Sequence, residues 1–479
     1  MRTESERVFS RRRALRYAAA AAVLGPVFKL TEGPAKGQMQ RGPEVKYGPI
    51  NKYSSPSSLR ITDMRAVTVA SNFDYNIIRI DTNQDVYGLG EVRDGGLKGS
   101  ALVLKPMLAG RNPLDISGLL QSVRPYAGHG RAGGGYSAVD IALHDIAGKV
   151  FGVPAWRLLG DKKRDKVKMY ADTTGTSDPK KYAARMLARQ KFGFKFFKMD
   201  VTANFIGDKP GAVDEYGIPT DKGLAYGAEL ITAVRDAIGW QYPLAVDAGS
   251  LFRRTPGGPP VMPVKDAIRA AKAWEKLQLA WLEDLFGTMG FRDWRGYKEI
   301  RENSTTKILT GEDAFGLEEG FQPLIDNHAL DVIHPDPGTS GACRETKRIA
   351  DYANERGIPC AIHMAGSPLG TLAAVHVAAT LTNYVAMELH ALDFLSWWQD
   401  LVNGVPKPIL QDGHINVPDT PGIGVELNEA VVKEHLRVPG YFEPTPMYDG
   451  PIVGGRGPRG PWPHFNVDGK WVNEATSDY

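Results

Sequence analysis

The chain has 479 residues, 42% of them hydrophobic and 24% charged, an ordinary globular composition with length for two domains and a large core. Its 58 basic and 55 acidic residues leave a net charge of +3, so no basic field points to nucleic acid, and no internal run reaches the roughly 20 apolar residues of a membrane span. Cys343 and Cys360 form no zinc pattern and read as small core residues.

Residues 1–55 read as export signal and linker. Ser10-Arg-Arg-Arg-Ala-Leu-Arg16 precedes the short apolar run Tyr17–Gly25, a charged region followed by a small-residue hydrophobic one. The Ser-Arg-Arg-x-x-Leu-Arg pattern resembles a twin-arginine signal and implies export to the periplasm; a disordered basic tail on a cytoplasmic protein is the alternative.

An α+β domain is expected over 59–160. Asn76-Ile-Ile-Arg-Ile-Asp81 alternates apolar and polar residues, Thr82-Asn-Gln-Asp85 supplies a turn, and Val86-Tyr-Gly-Leu-Gly-Glu91 returns, which predicts a small antiparallel sheet. Residues 99–125 look helical. Ser137–Lys149 carries apolar residues at i, i+3 and i+4 and predicts a long helix.

From Val167 the rhythm becomes strand, loop, helix, strand. Strands are expected at 166–171, 194–199, 243–247, 279–283, 307–311, 330–334, 358–363 and 384–388, mostly with helices between them. Alternation on this scale predicts an α/β fold, a TIM-like (β/α) barrel, over 165–430. A doubly wound sheet would need a Gly-rich phosphate turn after its first strand, and Ala171-Asp-Thr-Thr-Gly175 is not one. The loops Thr202–Leu224 and Gly249–Pro263 are long and should hang over the C-terminal rim. In the second, Arg253 and Arg254 either grip an anionic substrate or stay solvated. A Pro- and Gly-rich tail, 438–479, follows.

Several predicted strands end in a reactive side chain. Asp247, Glu283 and Glu312 close three short apolar runs, 36 (283 minus 247) and 29 (312 minus 283) residues apart. One βα unit of an eight-unit barrel is roughly 31 residues, so neighbouring strands would bring three carboxylates to one rim. Converging carboxylates repel unless a cation sits between them, and hard oxygen ligands favour Mg²⁺. Three unrelated helix caps are the bland alternative. Lys198 ends Phe194-Lys-Phe-Phe-Lys198. Asp336 follows Val332-Ile-His-Pro, and His363 ends Pro359-Cys-Ala-Ile-His363, 27 residues on (363 minus 336). A histidine beside a buried carboxylate is fixed in one tautomer and suited to proton abstraction. Glu388 ends the last strand.

In this combination the chain resembles the enolase superfamily, in its mandelate racemase/muconate lactonizing enzyme type, over about 59–430. Ser137–Pro154 resembles the family's capping-domain helix with its Gly-x-Pro exit, and Gly193–Lys198 its lysine strand. The resemblance implies a barrel under an α+β cap, Asp247, Glu283 and Glu312 as Mg²⁺ ligands, Asp336–His363 as the acid–base dyad, and Glu388 as partner of the substrate carboxylate. It also implies a homo-oligomer acting on a small acid through α-proton abstraction and an enediolate. One departure narrows the chemistry. Racemases of the family carry Lys-x-Lys on the second strand, and here the tripeptide is Lys198-Met199-Asp200. Lysine opposite His363 is therefore missing, while His363 alone suffices to take a proton and assist loss of a β-hydroxyl. Asp200 is a base, an orienter of Lys198, or a holder of a sugar hydroxyl. The expected activity is dehydration of a sugar acid, an aldonate or aldarate, to a 2-keto-3-deoxy acid. An epimerase or cycloisomerase and a non-catalytic carbohydrate-binding protein are the alternatives.

Overall fold

A computed structural model describes residues 56–207, 209–249, 251–252, 261–390 and 395–450, with the backbone of 463–465 and 471–473. The twin-arginine-like segment, Arg253, Arg254 and most of the tail lie outside the described residues.

The cap begins with an antiparallel sheet in the order β1 (Ile61–Val69), β2 (Tyr75–Thr82), β3 (Tyr87–Glu91). The long helix Gly134–Phe151 lies against β3, and the glycines of Tyr-Gly-Leu-Gly-Glu explain how closely. A Cβ at Gly88 would stand 2.1 Å from the Ala142 carbonyl oxygen, and one at Gly90 2.0 Å from that of Ala138. Only residues without a side chain admit the helix there. The helical stretch expected over 99–125 is instead three short helices, Gly99–Leu102, Lys105–Leu108 and Ile116–Val123. Pro106, in the first turn of the second helix, lacks the N–H that would continue the first, and Gly110, at φ +77°, and Pro113 part the second from the third, since one turns the chain and the other disfavours helix at the residue before it.

Eight parallel strands follow: β4 (Lys166–Thr173), β5 (Phe197–Asp200), β6 (Leu244–Asp247), β7 (Leu282–Glu283), β8 (Ile308–Thr310), β9 (Val332–Ile333), β10 (Cys360–Ile362) and β11 (Tyr384–Leu389). Each pairs with the next, and β11 pairs with β4, so the sheet closes into a barrel. Apolar helices such as Pro368–Thr380 cover it outside. Both cysteines are free and buried. Among the described residues no helix is long and apolar enough to cross a membrane. Residues 438–450 fold back on the cap: Phe442 is buried, and Asp449 meets Lys105 at 2.5 Å.

Inside the barrel Tyr170, Phe196, Ala245, Trp281, Leu309, Val332, Ala361 and Ala386 form a cluster of their own, one residue per strand or from just before it. Tyr170, Phe196 and Trp281 are in mutual ring contact and fill the floor.

Candidate active site

Side chains along a strand alternate faces, so the residue two positions beyond each floor residue also points inward. Those residues are Asp172, Lys198, Asp247, Glu283, Gly311, His334, His363 and Glu388. All but Gly311 carry a polar or ionisable group. At Gly311 the alternation breaks, because its φ of +132° turns the chain and a Cβ would stand 2.6 Å from the Phe321 ring; Glu312 follows directly.

Lys198 is the hub of this row. Its Nζ lies 2.9 Å from Glu388, 3.0 Å from Glu283 and 3.8 Å from Asp247. Burial alone would push the ammonium down, but Glu283 and Glu388 outweigh it and hold it above its ordinary range. Burial also pushes Glu283 and Glu388 well up, against the pull of Lys198. The Tyr170 hydroxyl donates to Glu388 at 2.9 Å and meets His334 Nε2 at 2.9 Å, tying the floor to the reactive row.

His363 stands beside it. Its Nδ1 is 2.5 Å from Asp336, and its Nε2 faces Glu312 at 3.2 Å and Glu388 at 3.8 Å. Burial, assisted by the charges of Arg93 and Lys198, holds the imidazole well below its ordinary value despite Glu312, so it rests neutral. A neutral imidazole with one nitrogen on a carboxylate is prepared to accept a proton at the other.

Several groups of this site, His334 and Asp284 among them, are not singled out by the sequence. Arg93, just after β3, is fully buried and reaches Glu312 at 3.2 Å, Asp336 at 3.3 Å and Asp313 at 3.5 Å. It comes from the cap, whose sequence carries no barrel rhythm to flag it. Asp172 accepts from His390 Nε2 at 2.8 Å. Burial pushes Asp172 up, but Lys198 and His390 outweigh it and hold the carboxyl below its ordinary range. The i+2 rule would have found Asp172, had the first strand been carried past Ala171.

The structure thus brings together Lys198, Asp247, Glu283, Glu312, Asp336, His363 and Glu388. Asp200 lies next to Asp247 in register, half-buried, with its backbone N–H and carbonyl both on the Tyr182 hydroxyl. Burial and the charges of Asp172 and Asp247 push its carboxyl well up.

The donor set fits a divalent cation. Asp247, Glu283 and Glu312 offer carboxylate oxygens from three successive strand ends, and Asp284 adds a buried carboxylate whose Oδ2 has no hydrogen-bond partner. The Lys198 ammonium stands beside both Glu283 and Asp247 and partly offsets their charge. Among the described residues, Glu283–His334–Glu388 and Asp94–Asp336–His363 within this site, and Asp140–His144–Cys343 apart from it, each bring possible ligand atoms within 4.8 Å of one another.

Sequence profiles match along most of this length: the mandelate racemase/muconate lactonizing enzyme N-terminal domain over 55–160 and the Enolase C-terminal domain-like family over 181–431. The chain belongs to the enolase superfamily, in its mandelate racemase/muconate lactonizing enzyme type. It is 33% identical to the D-xylonate dehydratase of Haloferax volcanii, across 78% of this chain and 89% of that protein. Among solved structures it resembles a mandelate racemase/muconate lactonizing enzyme-like protein from Rubrobacter xylanophilus, with a TM-score of 0.72, 28% identity and coverage of 80% and 99% of the two chains. The 3,6-anhydro-D-galactonate cycloisomerase of Zobellia galactanivorans gives 0.66, 26%, 79% and 100%. With the D-xylonate dehydratase among its relatives and the superfamily's domains along its length, the chain is a hydro-lyase.

Proposed function

We propose that this enzyme is a Mg²⁺-dependent dehydratase that converts an aldonate or aldarate to a 2-keto-3-deoxy acid. The observation that carries the reading is the Asp336–His363 pair, which presents Nε2 to the carboxylate-lined side of the barrel. The α-proton of a carboxylate is weakly acidic, because its removal places a second negative charge on the group. Asp247, Glu283 and Glu312 would hold the Mg²⁺, which when bound supplies Lewis-acid charge for the substrate carboxylate. His363 Nε2 takes the α-proton while Asp336 steadies the imidazolium. The same proton then passes to the β-hydroxyl, which departs as water. Lys198 adds fixed positive charge beside the row, and Glu388 flanks the imidazole. The lack of a lysine at Asp200 favours one-base dehydration over two-base racemisation.

Arg253 and Arg254 remain candidate grips for the substrate carboxylate. Epimerisation or cycloisomerisation is the second reading, favoured by the likeness to the Zobellia cycloisomerase. A screen of four- to six-carbon mono- and di-acid sugars with Mg²⁺, trapping 2-keto acids with semicarbazide, tests the proposal. Keto-acid formation from at least one acid is expected. Deuterium entering the α-position of recovered substrate, with no keto acid from any compound, would transfer the enzyme to the second reading.

A further inference from the structure

We propose that His390, oriented by Asp172, is a substrate-binding residue that accepts a hydrogen bond from a hydroxyl on the distal carbons of the sugar acid, and so sets which substrate chains the enzyme takes; this rests on the sugar-acid reading above. The pairing of β11 with β4 runs Met387 to Met169, Glu388 to Tyr170 and Leu389 to Ala171. The next step sets His390 opposite Asp172, which is itself in register with Lys198 on β5. His390 therefore points to the same side as Glu388 but about 6.6 Å nearer the mouth, two strand residues on. Glu388 is already at the reacting imidazole, 3.8 Å from His363 Nε2. A group one step higher is placed for the far end of a polyol chain, not for its α-carbon.

The hydrogen bonds fix what His390 offers. Nε2 lies 2.8 Å from the Asp172 carboxylate, which can only accept, so Nε2 carries the proton. On the other side Nδ1 meets Asn72 Nδ2 at 3.2 Å, and Asn72 Oδ1 is taken by the Ser71 hydroxyl at 3.1 Å. The amide is thus the donor and Nδ1 the acceptor. Asn72 and Phe73 belong to the exposed cap turn between β1 and β2, and the Phe73 ring leans on the imidazole at 5.7 Å. An entering hydroxyl replaces the Asn72 amide as donor to Nδ1 without disturbing the Asp172 contact. Asp172 acts through His390 and is a positioning residue.

The test compares kcat/KM for the best aldonate with that for its terminally deoxygenated counterpart, in wild type, His390→Leu and Asp172→Asn. Losing one acceptor should cost about 10- to 100-fold on the hydroxylated acid and less than about 3-fold on the deoxy acid, which never made the bond. A merely structural role would lower both alike, and that result, like no change on either, overturns the proposal. Should His390→Leu fail to fold, His390→Gln keeps an acceptor and is expected to retain part of the preference; indifference to the hydroxyl there also overturns it. If wild type turns over no sugar acid, the dehydratase reading fails separately. Calorimetric binding of the same two acids then decides: a wild-type preference for the hydroxylated acid, lost in Asp172→Asn, supports the proposal, and equal affinities or no binding overturn it.

Discussion

Arg93 comes within 3.3 Å of Asp336 Oδ2, the same oxygen that holds His363 Nδ1 at 2.5 Å. The arginine belongs to the cap and the two other groups to the barrel, so the acid–base pair is completed only where the two meet. Arg93 also touches Glu312, a candidate metal ligand, and thereby joins the two halves of the site.

Arg93→Met should therefore do more than remove one ion pair. It leaves Asp336 and Glu312 buried beside an apolar side chain, and removing one partner of a buried pair costs about 3–5 kcal/mol. Urea unfolding followed by intrinsic fluorescence should show a loss of that size, with activity falling in the fraction that stays folded. A loss below about 1 kcal/mol would mean that the cap arginine holds nothing in place.

His363→Asn should separate chemistry from stability. The imidazole is at the barrel mouth, one row above the floor, so the fold should lose no more than about 3 kcal/mol. Removing a positioned base typically costs about 10²- to 10⁴-fold, and the loss should appear equally in keto-acid formation and in α-deuterium exchange. Exchange at the wild-type rate would take the α-proton away from His363.

Much of this was legible because a parallel barrel writes itself as a rhythm. Strand, helix and spacing together marked the strand ends at Asp247, Glu283 and His363, and helix Pro179–Lys191 begins and ends where its Asp-Pro start and the following Phe-Gly place it. Hydrophobic periodicity does not show which neighbours a strand end acquires. Arg93 stands 219 residues from Glu312 in sequence (312 minus 93), and only the docking of the cap makes them partners. His390 escapes the pattern for a different reason: it lies just beyond the apolar run of its strand, where the periodicity stops although the inward direction continues. The helical expectation over 99–125 failed on Gly110 and Pro113, whose backbone preferences outrank the apolar pattern around them.

The metal has a readout that does not depend on turnover. A ligand that binds only the folded chain stabilises it by about 2.7 kcal/mol at a hundred times its Kd. Chelated protein titrated with MgCl₂ should show a rising thermal midpoint, and Glu283→Gln and Glu312→Gln should blunt the rise along with activity. An equal rise in all three proteins would place the cation elsewhere.

Glu91, at the end of β3, makes the cap–barrel junction sensitive to pH. Its carboxylate enters the start of helix Pro368–Thr380, accepting from Ser367 N at 2.8 Å, from Gly370 N at 3.0 Å and from the Ser367 hydroxyl. Burial is the largest influence and, against those bonds, pushes the carboxyl from its ordinary 4.5 up to about 7. Below pH 4.5 the group is protonated in both folded and unfolded chains and is neutral toward stability. Between 4.5 and 7 the unfolded chain releases the proton while the folded chain keeps it, so stability falls as pH rises and levels off above 7. That span corresponds to at most about 3 kcal/mol. Glu91→Gln, neutral throughout, should lose this contribution, so its urea midpoint should fall less than that of wild type between pH 4.5 and 8. Parallel midpoint curves for the two proteins would mean that Glu91 is ionised in the fold, held by the helix start more strongly than burial opposes it.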